Sequence, residues 1–147
     1  MRVLIPGQPV AQGRPRFARV GKKGGKQHVV AYDPEKSRGW KAMAAGWMLK
    51  ARQAQGARVM TGPLRVEIVA MFACPVGDER KGVPAVKRRH WRKPDAENCA
   101  KACLDSASGI LFEDDAQVCE LSVSKWICAQ GDSPRVEMTV TQLAEEQ

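Results

Sequence analysis

Residues 92–118 read RKPDAENCAKACLDSASGILFEDDAQV, and the fold follows from how this run is parsed. Ala96, Cys99, Ala100, Cys103, Leu104 and Ala107 recur at helical spacing, which predicts a helix from about Asp95 to Ala107 with those residues toward a core. Glu97, Asn98, Lys101 and Asp105 take the opposite side, and Gly109 marks the helix end. A strand is expected from Val118 to Ile127, directly after Asp114 and Asp115. A helix that must bury one face, followed at once by a strand, calls for helix-on-sheet packing.

Working outward gives the remaining elements. Residues 1–5 read as a strand stopped by Pro6, Gly7 and Pro9. Residues 11–32, rich in Gly, Arg and Lys, read as a mobile basic loop with some hairpin character near Val29 and Val30. Asp33-Pro34 resembles a helix start, with Asp as N-cap and Pro at the first helical position. Trp40, Met43, Ala44, Trp47, Met48 and Ala51 then mark one apolar helix face ending near Gly56. Leu64, Val66, Ile68, Ala70 and Phe72 alternate, as in a half-buried strand. Residues 75–94 carry three prolines and two glycines and read as a loop. Residues 135–143 form a last strand, with Val136, Met138 and Val140 inward. The order β-loop-α-β-loop-α-β-β predicts an α+β fold, one mixed sheet backed by two helices, in a single domain over residues 1–147.

The chain has 24 Lys and Arg against 16 Asp and Glu, a formal net charge of +8. The cations are clustered. Arg14, Arg16, Arg19, Lys22, Lys23 and Lys26 form one block; Arg80, Lys81, Lys87, Arg88, Arg89, Arg92 and Lys93 form another. Stripes of this kind suit a polyanion such as nucleic acid. Arg88, Arg89, Arg92 and Lys93 directly precede the acid-bearing run, where they would guide a phosphate backbone toward it. Trp91 either stacks on an unpaired base or, more often for a Trp, covers a core edge. No stretch approaches the roughly 18 apolar residues of a membrane span. Residues 1–10 lack the apolar centre of a secretory leader, and five cysteines make no disulfide framework, so a reducing cytoplasm is the expected home. Zinc held by Cys74, His90, Cys99, Cys103, Cys119 or Cys128 is disfavoured, because no Cys-x-x-Cys occurs and Cys99 and Cys103 lie on the apolar helix face.

Against this basic background the acids at 95, 97, 114 and 115 stand out. Two carboxylates about 5 Å apart repel by roughly 3 kcal/mol at an effective dielectric of 20, so a close group calls for a hard cation between them. Mg²⁺ or Mn²⁺ there would serve cleavage of a phosphodiester, with Lys101 holding the phosphate. Each acid has a plainer reading: Asp95 as an N-cap, Glu97–Lys101 as an i,i+4 pair, Asp114-Asp115 as turn residues.

The run Pro94-Asp95-Ala96-Glu97-Asn98-Cys99-Ala100-Lys101, then Leu104-Asp105, then Asp114-Asp115-Ala116-Gln117-Val118, resembles the signature of the RusA-type Holliday junction resolvases, small endonucleases of bacteria and their prophages. Gly7-Gln8-Pro9, Arg14-Pro15-Arg16 and Lys125-Trp126 add weaker likeness. The resemblance implies a metal-dependent endodeoxyribonuclease acting in DNA recombination and repair, a homodimer that resolves four-way junctions by paired symmetric nicks. It implies Asp95, Glu97 and Asp115 as catalytic metal ligands, Lys101 as the essential basic residue of the motif, and Asn98 and Asp114 as supporting residues. Arg14, Arg16, Arg88, Arg89, Arg92, Lys93 and Lys101 are the expected nucleic-acid contacts. Glu97 stands where the family usually has Asp, which keeps a second reading open: a weak or inactive junction-binding protein of the same fold.

Overall fold

The computed structural model describes residues 1–145. Its strands are β1 (Arg2–Pro6), β2 (Arg16–Val20), β3 (His28–Tyr32), β4 (Leu64–Phe72), β5 (Arg88–Arg89), β6 (Val118–Ile127) and β7 (Arg135–Gln142). Its helices are α1 (Glu35–Ala54) and α2 (Ala96–Ala107). Five strands form one sheet in the order β1-β7-β4-β6-β5, while β2 and β3 make a separate two-stranded ribbon. Only β4 and β6 run parallel; the other pairings in the sheet are antiparallel, so the sheet is mixed. Parallel neighbours need a crossover, and α2 lies within it. The α+β architecture read from the sequence is the one observed.

Alternation decides which face is covered. Leu64, Val66, Ile68 and Ala70 of β4 are buried together with Val136, Met138 and Val140 of β7 and Val3 and Ile5 of β1. Trp40, Ala44 and Met48 of α1 and Ala100, Cys103 and Ala107 of α2 close over them. Burial raises the Cys103 thiol to about 12, so it behaves as a small hydrophobe. The other face is more open, and there Arg65 pairs with Glu120 across β4 and β6. The turn after α2 supplies Leu111 and Phe112, both fully buried, and the Met60 amide donates to the Leu111 carbonyl at 2.9 Å. Gly109, at φ +78°, makes the reversal that brings Phe112 back under the helix.

Four expectations are corrected. Over 11–32 the hairpin character expected near Val29 and Val30 is found, but the loop reading is too loose, because residues 16–20 and 28–32 form an antiparallel ribbon with Arg16 opposite Tyr32 and Val20 opposite His28. Asp33 is not a cap. Helix α1 starts at Glu35 with no side-chain cap, because the Asp33 carboxylate is taken by Lys41 and by Gln12 Nε2 at 2.8 Å. Met43 and Trp47 are each 39% exposed, since the buried row of α1 is the narrower Ser37-Trp40-Ala44-Met48. Finally, Arg88 and Arg89, read as loop, pair with Ile127 and Trp126 at the sheet edge.

Candidate active site and nucleic-acid surface

Helix α2 is fixed at its start by the strand beneath it. Leu121, Val123 and Lys125 share one face of β6 by strand alternation. Lys125 Nζ donates to the Arg92 carbonyl at 2.6 Å and to the Pro94 carbonyl, and the His90 amide donates back to the Lys125 carbonyl at 3.1 Å. Asp95 emerges from this clamp in extended conformation at the N-cap position, its side chain making no capping bond. Cys99, Ala100 and Cys103 are buried, which turns Glu97 and Lys101 outward. Lys101 pairs with Asp105 at 3.6 Å rather than with Glu97. The Asn98 carbonyl accepts from the Gln12 amide at 2.9 Å, tying the segment before the hairpin to the first turn of α2.

The second acid pair divides its labour. Asp114 Oδ1 accepts from the Ala116 amide at 2.8 Å, and Gln117 Oε1 accepts from the Asp114 amide at 2.9 Å. This reciprocal cap closes a short 3-10 turn, Asp115–Gln117. Gln117 Nε2 also donates to the Met60 and Gly62 carbonyls at 3.2 and 3.0 Å. Asp114 and Gln117 are thereby spent on geometry, and Asp115 is left to project.

Glu97, Lys101 and Asp115 meet at one depression of about 360 Å³ between α2 and β6, floored by Leu104, Leu121 and Val123. Asp95 does not line it. Among the described residues no three His, Cys, Asp or Glu side chains are grouped closely enough to hold a metal ion. The structure therefore brings together two of the three expected ligands and the lysine. The third acid stands two residues back, at the helix start. Among the described residues none of the three carboxylate groups takes part in a side-chain hydrogen bond or ion pair, and carboxylate oxygens are the donors a hard divalent cation takes. In kind the residues fit such an ion.

A family model for Endodeoxyribonuclease RusA matches residues 6–141. The chain belongs to the RusA endodeoxyribonuclease family. It is 31% identical over 149 residues to the Uncharacterized protein YqaN of Bacillus subtilis (strain 168), covering 98% of this chain and 97% of that protein. RusA nucleases are Holliday junction resolvase-type endonucleases that bind branched DNA and in general depend on divalent metal. Among the described residues no helix is long and apolar enough to cross a membrane.

The chain's two basic blocks sit on different elements, one at the β2–β3 hairpin and the other in the segment that leads into α2. Arg14 and Arg16 are exposed, Arg16 on the hairpin. Arg16, Lys36 and Lys93 rim a groove of about 640 Å³ that runs past Pro94, with Phe72 and Ile127 in its wall. Arg88 pairs with Asp78, while Lys87 Nζ and the Arg89 guanidinium rest on the Trp126 ring at 4.4 and 3.7 Å. Arg92 lies 5.1 Å from the Trp91 ring, and Trp91 is 81% exposed, so it does not cover a core edge. His90 packs edge-on to Phe72 at 4.7 Å; burial first, then the Lys125 charge, holds its imidazole below the ordinary value. Sequence reasoning gave no role to Lys36, Lys41, Gln117 or the Lys125 clamp. The usable signal was Lys125 itself, a cation in phase with Leu121 and Val123 on the helix-covered face.

Proposed function

We propose that the chain is a Mg²⁺- or Mn²⁺-dependent endonuclease that resolves four-way DNA junctions, acting as a homodimer in the cytoplasm. The observation that carries this reading is the shared depression of Glu97, Asp115 and Lys101, with Asp95 two residues before Glu97, in a chain whose cations are clustered along the sequence. Asp95, Glu97 and Asp115 would hold the ion, which when bound polarises the phosphoryl oxygen and lowers the pKa of water. Lys101, a compact charge on the rim, would hold the scissile phosphate and offset charge as it develops. Asp114 acts through the turn that aims Asp115, and Asn98 through its tether to Gln12. Arg14, Arg16, Arg88, Arg89, Arg92 and Lys93 would contact phosphates, which set the position of the DNA and make affinity fall with salt. One chain carries one such site, and two symmetric nicks across a junction of approximate two-fold symmetry need two.

The test is cleavage of a synthetic four-way junction, with linear duplex beside it, in Mg²⁺ and in Mn²⁺. Paired nicks on the junction are expected. Asp115→Asn should lower the rate by roughly 100-fold or more, since metal-borne charge stabilisation is worth several kcal/mol. Tight junction binding with no nicking in either metal would instead favour the inactive junction-binding reading that Glu97 keeps open. Light scattering of the free protein at a monomer's mass, unchanged on the junction, would remove the dimer.

A further inference from the structure

We propose that Asp105 is a positioning residue for Lys101, and that it ties the candidate active site through Lys41 to the foot of the basic hairpin. The inference rests on the reading above. Asp105 Oδ1 faces Lys101 Nζ at 3.6 Å, and Asp105 Oδ2 faces Lys41 Nζ on the neighbouring helix at 3.4 Å. Lys41 Nζ also binds Asp33, the residue after β3. Gln12 Nε2 donates to Asp33 Oδ1 at 2.8 Å, and the Gln12 amide donates to Asn98, in the first turn of the helix that carries Lys101. The contacts close a ring: α2, the segment before the hairpin, the residue after it, α1, and α2 again. Both legs of the hairpin are in it.

An isolated i,i+4 pair on a helix surface restrains little. This one differs because its carboxylate is shared. The Lys41 side chain is only 17% exposed and that of Lys101 is 60% exposed, so Lys41 is the fixed end and Lys101 the free one. A lysine has a flexible four-carbon stem, and an acid anchored from behind confines where its ammonium can go. The Lys101 charge is also felt at Asp33, whose carboxyl is held below its ordinary range chiefly by the bond to Lys41. Asp105 would act not on the phosphate itself but by holding Lys101, the residue proposed to contact it. Its two acid-binding lysines belong to different helices, which makes Lys101 geometry dependent on how the hairpin foot is seated.

A double-mutant cycle tests this. In single-turnover cleavage of the four-way junction with Mg²⁺, Asp105→Asn should slow nicking about tenfold while junction affinity in Ca²⁺ changes less than about twofold. Asp105→Asn on top of Lys101→Met should cost less than about twofold more, because the two act as one unit. Asp105→Glu should restore most of the rate, and Lys41→Met should show a smaller loss than Asp105→Asn. Independent, additive losses, or lost affinity at unchanged rate, would overturn the proposal. A second readout needs neither metal nor DNA: the NMR resonance of ¹³C-dimethylated Lys101, assigned with Lys101→Arg, should move in Asp105→Asn and in Asp33→Asn, and an unmoved resonance overturns the contact. If the wild type nicks no junction, the proposed activity fails by itself while that resonance still decides the ring.

Discussion

The two basic blocks have similar charge density and opposite mechanics. The first rides on the β2–β3 ribbon, which pairs with no strand of the main sheet and is mostly solvent-exposed. Its holds are at the foot: Gly13 to Ser37, Gln12 to Asn98, Asp33 to Lys41. The second is strapped to the sheet edge. Arg88 and Arg89 pair with β6, the Gln130 side chain binds the Arg80 amide and carbonyl and the Ala85 amide, and Trp126 carries Lys87 and Arg89. Identical charges thus serve as an arm in one place and as a fixed rail beside the acids in the other. Charge counting alone cannot separate these roles; the backbone to which each cation is attached does.

Excising the arm gives the largest contrast. Replacing residues 16–32 by a short Gly-Ser linker removes five cations, Arg16, Arg19, Lys22, Lys23 and Lys26. If three of them meet phosphates, the slope of log affinity against log salt should flatten by roughly 3, and junction affinity near physiological salt should fall about 30-fold or more. Thermal stability should hold, because no core residue lies in the excised stretch. An unchanged salt slope in a binding titration would make the arm a bystander.

Next in size is Lys125→Met, which attacks the rail. Two charge-assisted bonds to the Arg92 and Pro94 carbonyls disappear at a half-buried site. The expected loss is about 2 kcal/mol in urea unfolding, with slower cleavage because Asp95 starts from that clamp. A variant as stable as the wild type would show the clamp to be replaceable by water. The comparison sharpens if arm excision spoils affinity alone and Lys125→Met spoils stability and rate.

What was legible in the chain follows the same division. Strands β4, β6 and β7 and helix α2 each carry their period within ten or so residues, and their observed bounds match that reading. Glu97 and Lys101 could be placed together because one turn of helix fixes their phase. Asp95 sits before the first turn in extended backbone, so helical phase says nothing of its direction, and it falls outside the shared depression. Asp33 looked like a cap because caps are local, but its partner Lys41 arrives from the next two turns and Gln12 from 21 residues back. The hairpin was obscured by the Gly- and Lys-rich turn that interrupts two short strands. Lys125 and Trp126 act on partners more than thirty residues away, which no spacing rule reaches.

A smaller effect is expected from Trp126→Ala. Two cations lose the ring that orients them, each contact worth about 0.5–1 kcal/mol at an exposed site. Junction affinity should fall roughly fivefold, with the salt slope unchanged because the charges remain. A flatter slope would mean that Lys87 and Arg89 no longer reach phosphate at all, and the rail would then depend on the ring for its position rather than its order.

The smallest effect is one of pH, and it belongs to the rail alone. His90 lies between Phe72 and the Lys125, Arg88 and Arg92 charges; burial first and these cations next depress its pKa from 6.5, with a backbone bond at Lys93 acting the other way. In the unfolded chain His90 takes up its proton near pH 6.5, while in the fold it resists until lower pH. Between those values the unfolded state binds more protons, so stability rises with pH there. The contribution is complete above about pH 7 and declines as pH falls through 6.5 toward the folded value. The melting temperature should therefore drop between pH 7 and 5, and His90→Gln should flatten that part of the curve. The same drop in His90→Gln would assign it to carboxylates elsewhere, and the rail would lose its pH signature.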